Sequence, residues 1–149
     1  MTAPINVLLV EDNPADADLT REAMEESRLH LEIAWVDDGA KAIDYLNRRN
    51  GYPDVPRPDL ILLDLNLPRV NGRQVLAELR KTDDLKTIPV VILTSSDAER
   101  DIVESYEFGA NCYVTKPVDL KAFQDIVKAV EGFWFTIVKL PRSRAGAPG

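Results

Sequence analysis

Four short apolar runs in this chain each stop at a charged or hydroxyl-bearing side chain. Residues 7–10 (Val-Leu-Leu-Val) run into Glu11-Asp12, and residues 60–63 (Leu-Ile-Leu-Leu) run into Asp64. Residues 90–93 (Val-Val-Ile-Leu) end in Thr94-Ser95, and Tyr113-Val114 lead through Thr115 to Lys116. Continuous apolar runs suit strands covered on both faces, as in a parallel sheet. A carboxylate placed directly after such a strand has to be paired or to bind a cation, because an isolated buried charge is too costly. Side by side, these strands gather three acids, a hydroxyl and an ammonium along one sheet edge. That set suits a divalent cation and a phosphoryl group.

The segments between the runs alternate with them. A strand over 5–10 is followed by Asn13-Pro14, an N-cap with proline at the first helical position, which opens a helix to about residue 27. A less apolar strand over 31–36 leads through the turn and cap Asp37-Asp38-Gly39 into a helix with Ala42, Ile43 and Leu46 on one face. Residues 48–58 hold Gly51, Pro53, Pro56 and Pro58 and read as a structured loop rather than a linker between domains. Strand 60–63, helix 72–81, strand 90–93, helix 98–108, strand 111–114 and a long helix from Leu120 complete the pattern. Strands alternating with helices in this way predict an α/β fold, a doubly wound parallel sheet with right-handed crossovers and helices on both faces. Ligands of such sheets sit beyond the carboxyl ends of the strands, where the strand order reverses. The candidate residues fall there. One domain is expected over 1–140, with an extended last helix, and a disordered tail over 141–149.

Length and charge narrow the partners. At 149 residues the chain fits one domain, large enough to bury roughly 70% of its unfolded surface. Its formal net charge of −7 is repelled by a phosphate backbone, so nucleic-acid binding is not expected. The single cysteine, Cys112, can build neither an internal disulfide nor a multi-thiolate zinc site, and it reads as a packed thiol in a strand. No secretory leader and no apolar run near 18 residues is present, so the expectation is a cytoplasmic protein with no membrane contact.

A magnesium-sized cation takes near-octahedral oxygen ligands, usually one or two carboxylates plus waters and phosphate oxygens. Asp12 and Asp64 can ligate directly, Glu11 directly or through a water, and the backbone carbonyl of Asn66 can add another where the chain turns before Pro68. Without a cation, three acids this close raise one another's pKa. Asp64 is the candidate nucleophile, since a carboxylate can accept a phosphoryl group as an aspartyl phosphate while a cation neutralises the transferring oxygens. Lys116 suits a point-charge contact to the same oxygens, with the hydroxyls of Thr94 and Ser95 beside it. Alone, Lys116 would read as a surface lysine; its place before Pro117 at the end of a buried strand argues otherwise. Lys116-Pro117 is the candidate cis peptide.

Together these residues resemble a bacterial response-regulator receiver domain from about residue 6 to 130. The paired acids are Glu11 and Asp12, the phosphoacceptor Asp64, the hydroxyl Thr94 and the lysine-proline pair Lys116-Pro117. The family's proline and glycine after the phosphoacceptor fall on Pro68 and Gly72, and its aromatic switch position on Tyr113. The resemblance implies the flavodoxin-like receiver fold, five strands in the order 2-1-3-4-5 with five flanking helices. It also implies Mg2+ as cofactor, with Mn2+ or Ca2+ able to replace it in crystals, and a sensor histidine kinase as donor. Such a chain is a signalling protein rather than an enzyme, catalysing only its own phosphorylation and dephosphorylation. The lone histidine, His30, lies away from the acids, so the phosphoryl group has to come from a partner.

Two further features, the proline-bearing loop over 50–58 and the Phe133-Trp134-Phe135 ending, are similar to the small receivers that partner phytochrome-type histidine kinases. That likeness implies a red/far-red light pathway. On phosphorylation of Asp64, Thr94 would be drawn to the new phosphoryl oxygens and Tyr113 would rotate into the vacated space; otherwise Tyr113 is a half-buried strand aromatic. No output domain follows, so the output is expected to be another, unidentified protein. Phe133, Trp134 and Phe135 cannot all face one sheet, which points to homodimerisation through the last helix, or else to local packing of Trp134 in a monomer. A dehalogenase-like phosphohydrolase would carry a second aspartate where Asn66 stands, and Asn66 cannot transfer protons. A flavin binder would need a Ser/Thr/Gly phosphate cradle where residues 11–15 are acidic. A scaffold receiver that is never phosphorylated is disfavoured because no site residue is missing.

Overall fold

A computed structural model describes residues 4–27, 29–94 and 112–129; the side chains of Thr94, Cys112, Tyr113 and residues 127–129 lie outside that description. The elements are β1 (Ile5–Val10), α1 (Pro14–Glu25), β2 (Leu31–Val36), α2 (Gly39–Leu46), β3 (Leu60–Asp64), α3 (Gly72–Lys81), β4 (Val90–Thr94), β5 (Cys112–Thr115) and α4 (Leu120–Ala129). The strands form one parallel sheet in the order β2-β1-β3-β4-β5. The helix expected over 98–108, Ser95, the Phe133-Trp134-Phe135 ending and the tail fall outside the described residues.

The period of two along each strand divides the core. Leu8 and Val10, Ile61 and Leu63, and Val90 and Ile92 meet α2 and α3 on one face, through Ala42, Tyr45, Leu46, Val75, Leu76 and Leu79. Val7 and Leu9, Leu60 and Leu62, and Val91 and Leu93 meet α1 and α4 on the other, through Ala17, Met24, Phe123 and Ile126. Every residue of β3 is buried, as a central parallel strand requires. β2 is an edge strand, and of its residues only Val36 is buried.

Local chemistry sets the helix starts. The Asn13 side chain accepts from the Asp16 N–H at 3.0 Å and Pro14 takes the first helical position, where its missing N–H costs nothing. Asp38 caps α2 by accepting from the Lys41 N–H at 2.7 Å. Asn71 and Gln74 form a reciprocal capping box at α3.

Two strands run further than their apolar pattern. β3 takes in Asp64, paired with Leu93, and β4 takes in Thr94, paired with Thr115. The ladder continues because backbone pairing is indifferent to side-chain polarity. α1 ends at Glu25, two residues short of the expected limit. The loop after α2 bends through left-handed residues at Arg48, Asn50 and Gly51, and its Tyr52 and Val55 pack on the core beside Tyr45.

Candidate functional site

The strand order reverses between β1 and β3, and the crevice there is flanked by Glu11-Asp12 after β1 and Asp64 at the end of β3. Glu11, Asp12 and Asp64 each place a carboxylate oxygen within 4.8 Å of the others. Glu11 is fully buried and Asp64 nearly so, whereas Asp12 is exposed. Two buried acids with a third open to solvent form a donor set that fits a hard divalent cation entering from outside.

Lys116 stands among these acids. Its Nζ donates to Glu11 Oε1 at 3.2 Å, to Asp64 Oδ2 at 3.2 Å and to Asp16 Oδ2 at 3.1 Å. The peptide bond from Lys116 to Pro117 is cis, and Val118 beyond it is buried. Backbone amides hold the other carboxylate oxygens: the Asn13 N–H donates to Glu11 Oε2 at 3.1 Å and the Asn66 N–H to Asp64 Oδ1 at 3.0 Å. Asn66 itself is exposed.

Electrostatics follow from burial and crowding. Burial pushes the Glu11 carboxyl up to about 7, and its hydrogen bond to and repulsion from Asp64 push the same way; the Asn13 amide and Lys116 only partly offset them. Burial acts to lower the Lys116 pKa, but the charges of Asp64 and Glu11 outweigh it and hold the ammonium above its ordinary value. One lysine thus tempers a cluster of negative charge that it does not fully neutralise.

The loop after β3 is pinned from two sides. A Cβ on Gly72 would stand 2.5 Å from the Asp64 carbonyl oxygen and 2.8 Å from Leu65 Cα, so α3 can begin this close to the acid only with glycine. Arg69, in a left-handed conformation, donates to the carboxylate of Asp38, and Val70 lies against Gly39. On the other side of the sheet edge, the Trp35 indole N–H donates to the Glu11 carbonyl at 2.7 Å, with the Arg21 guanidinium 5.7 Å from the centre of its ring. A hollow of about 420 Å3 lined by Tyr45, Arg48, Arg57 and Asp84 lies at the opposite end of the sheet and takes no part in this arrangement.

Of the candidate residues, Glu11, Asp12, Asp64 and Lys116 come together, and Thr94 ends β4 between the strands that carry Asp64 and lead to Lys116. The side chains of Thr94 and Tyr113, and all of Ser95, lie outside the described residues. Asp16, Trp35, Asp38 and Arg69 were not legible as parts of the site. An acid in a first helical turn ordinarily reads as compensation of the helix dipole. The other three act through contacts between segments far apart in sequence.

This is the architecture of a receiver domain, and residues 7–128 match the model of the response regulator receiver domain. The chain belongs to that family. It is 46% identical over 138 residues to response regulator Rcp1 of Synechocystis sp., covering 93% of this chain and 94% of that one. The crystal structure of the Mn2+-bound form of Rcp1 superposes with a TM-score of 0.76, covering 93% of this chain and 99% of the other. That of the phosphorylated cyanobacterial phytochrome response regulator RcpA is 47% identical with a TM-score of 0.77 and the same coverage. The bacteriophytochrome response regulator AtBRR is 43% identical, with a TM-score of 0.80 over 89% of this chain and 96% of that one. The chain is therefore a two-component response regulator homologous to phytochrome response regulators, and its partner class is the histidine kinase. Among the described residues no helix is long and apolar enough to cross a membrane.

Proposed function

We propose that this receiver accepts a phosphoryl group on Asp64 from the phosphohistidine of a phytochrome-type sensor kinase, in a Mg2+-dependent reaction. The observation that carries the reading is the meeting of Asp64 with Lys116 at 3.2 Å beside the carboxylates of Glu11 and Asp12. An Asp64 carboxylate oxygen attacks phosphorus, the acyl P–O bond forms as the P–N bond of the phosphoimidazole breaks, and the imidazole leaves with the electron pair. Glu11, Asp12, Asp64 and the Asn66 carbonyl would hold the cation, which supplies charge neutralisation at the phosphoryl oxygens. Lys116 binds the same oxygens, joined by the hydroxyls of Thr94 and Ser95. Asn66 stands exposed where a hydrolase of the aspartate-nucleophile type needs a proton-transferring acid, which favours a receiver over such a hydrolase.

The new charge at Asp64 then draws Thr94 inward and frees Tyr113 to follow, and Phe133, Trp134 and Phe135 provide the contact for a second copy. The homology to Rcp1 and RcpA supports a phytochrome-type donor. Kinetic preference tests it: a phosphorylated phytochrome-type kinase should transfer to this chain much faster than an unrelated histidine kinase does. Equal rates would remove the light-pathway assignment and leave the receiver chemistry intact. Loss of dimer elution in Trp134→Ala is the outcome expected of the aromatic contact, and an unchanged dimer would reject it.

A further inference from the structure

Lys116 carries three N–H donors, and three different carboxylates surround it. Two of the three, Glu11 and Asp64, belong to the donor set for a cation, and Asp64 is the proposed phosphoacceptor. As their charges are taken up by the cation and the phosphoryl group, their hold on the ammonium weakens. Asp16 stands outside that set and makes the shortest contact of all, 3.1 Å.

The backbone of Asp16 is also held on both sides. It is the third residue of the helix, its N–H is bound by the Asn13 side chain, and its carbonyl accepts from the buried Thr20 hydroxyl at 3.0 Å. The lysine, by contrast, is a point charge on a flexible four-carbon stem. An acid on a backbone held in this way, facing a flexible cation, sets where the cation rests.

We propose that Asp16 is a positioning residue, which keeps the Lys116 ammonium aimed at the phosphoryl site once Glu11 and Asp64 are otherwise engaged. The inference rests on the phosphoacceptor reading above. It assigns Asp16 no contact with the phosphoryl group and no share in cation binding. An ion pair of this partial exposure is worth a modest factor, ~2- to 5-fold in the affinity of whatever Lys116 grips.

The test uses the full chain at saturating Mg2+, with fluoroberyllate as the phosphoryl stand-in. Three quantities are measured: the fluoroberyllate dissociation constant, the rate of labelling by acetyl phosphate, and the Mg2+ dissociation constant without donor. Asp16→Ala should weaken fluoroberyllate and slow labelling by about 2- to 5-fold, leaving Mg2+ affinity within about twofold. Asp16→Glu should restore both. Asp16→Asn, which keeps an acceptor and the helix geometry, should fall between and guards against a folding defect in the alanine variant. Fluoroberyllate binding unchanged or tightened in Asp16→Ala would overturn the proposal, leaving Asp16 as a charge that merely repels anions. So would a parallel loss of Mg2+ affinity, which would place Asp16 in the cation site. If the wild-type chain is labelled through Asp64 and the variants match it, only this inference fails; if it takes neither label nor fluoroberyllate, the phosphoacceptor reading fails with it.

Discussion

Lys116 Nζ and Asp64 Oδ2 stand 3.2 Å apart although the strands that lead to them, β5 and β3, are separated by the whole width of β4. The lysine stem spans the end of the intervening strand. Removing the ammonium leaves buried Glu11 and Asp64 facing each other with no cation between them. Lys116→Met should therefore lower the stability of the metal-free protein by about 3 kcal/mol at pH 8, read by urea unfolding. Added Mg2+ should recover more stability in the variant than in the wild type.

The raised pKa of Glu11 ties cation binding to pH. With a folded value of about 7 against 4.5 for the ordinary group, the folded state binds more protons than the unfolded state between those values. The stability contributed by this group is thus fully present below pH 4.5 and is lost as pH rises through about 7 in the metal-free protein. A cation has to displace the same proton. Mg2+ affinity should fall below pH 7, by up to about tenfold per pH unit, and binding there should release a proton measurable by calorimetry in buffers of different ionisation enthalpy.

Gly72 fixes the loop that carries Asn66. A methyl group at this position meets the Asp64 carbonyl and Leu65 Cα inside contact distance, and both are backbone atoms that cannot turn aside. Gly72→Ala should destabilise by about 1–3 kcal/mol through forced backbone shifts. It should also weaken Mg2+ binding, because Asp64 and Asn66 must move with the loop. Thermal unfolding and a Mg2+ titration check the two effects separately.

Asp38 joins α2 to the loop after β3. It caps the helix through the Lys41 amide and receives Arg69, and these interactions overcome its burial to keep its carboxyl below the ordinary value. Its stabilisation is complete above pH 3.8 and disappears as pH falls through the lower folded value. Asp38→Ala should cost about 1 kcal/mol or more for the lost cap, whereas Arg69→Ala, removing an exposed partner, should cost less than about 1 kcal/mol. Urea midpoints of the two variants and the double variant measure the difference and the coupling.

Much of this site can be read from the chain because burial makes charges conspicuous. Glu11 and Asp64 follow runs that can only be interior strands, and Lys116 follows a third. The same alternation marks the fold, and the strands and the described helices lie close to the limits it predicts. Asp16 escaped because nothing local separates an acid that holds a lysine from one that complements a helix end. Trp35 escaped because its partner is a backbone carbonyl 24 residues away, a contact that sheet register alone creates. Arg69 meets Asp38 only once two loops have been brought together by the packing of α2 and α3 on one face.

The measurement that bears most directly on the phosphoacceptor assignment is intact-mass analysis after incubation with acetyl phosphate and Mg2+. The wild-type chain should gain one phosphoryl group, lost again on treatment with hydroxylamine as expected of an acyl phosphate. Asp64→Asn should gain none while still folding. A phosphoryl group retained on the Asp64→Asn variant, or one that resists hydroxylamine in the wild type, would contradict the assignment of Asp64.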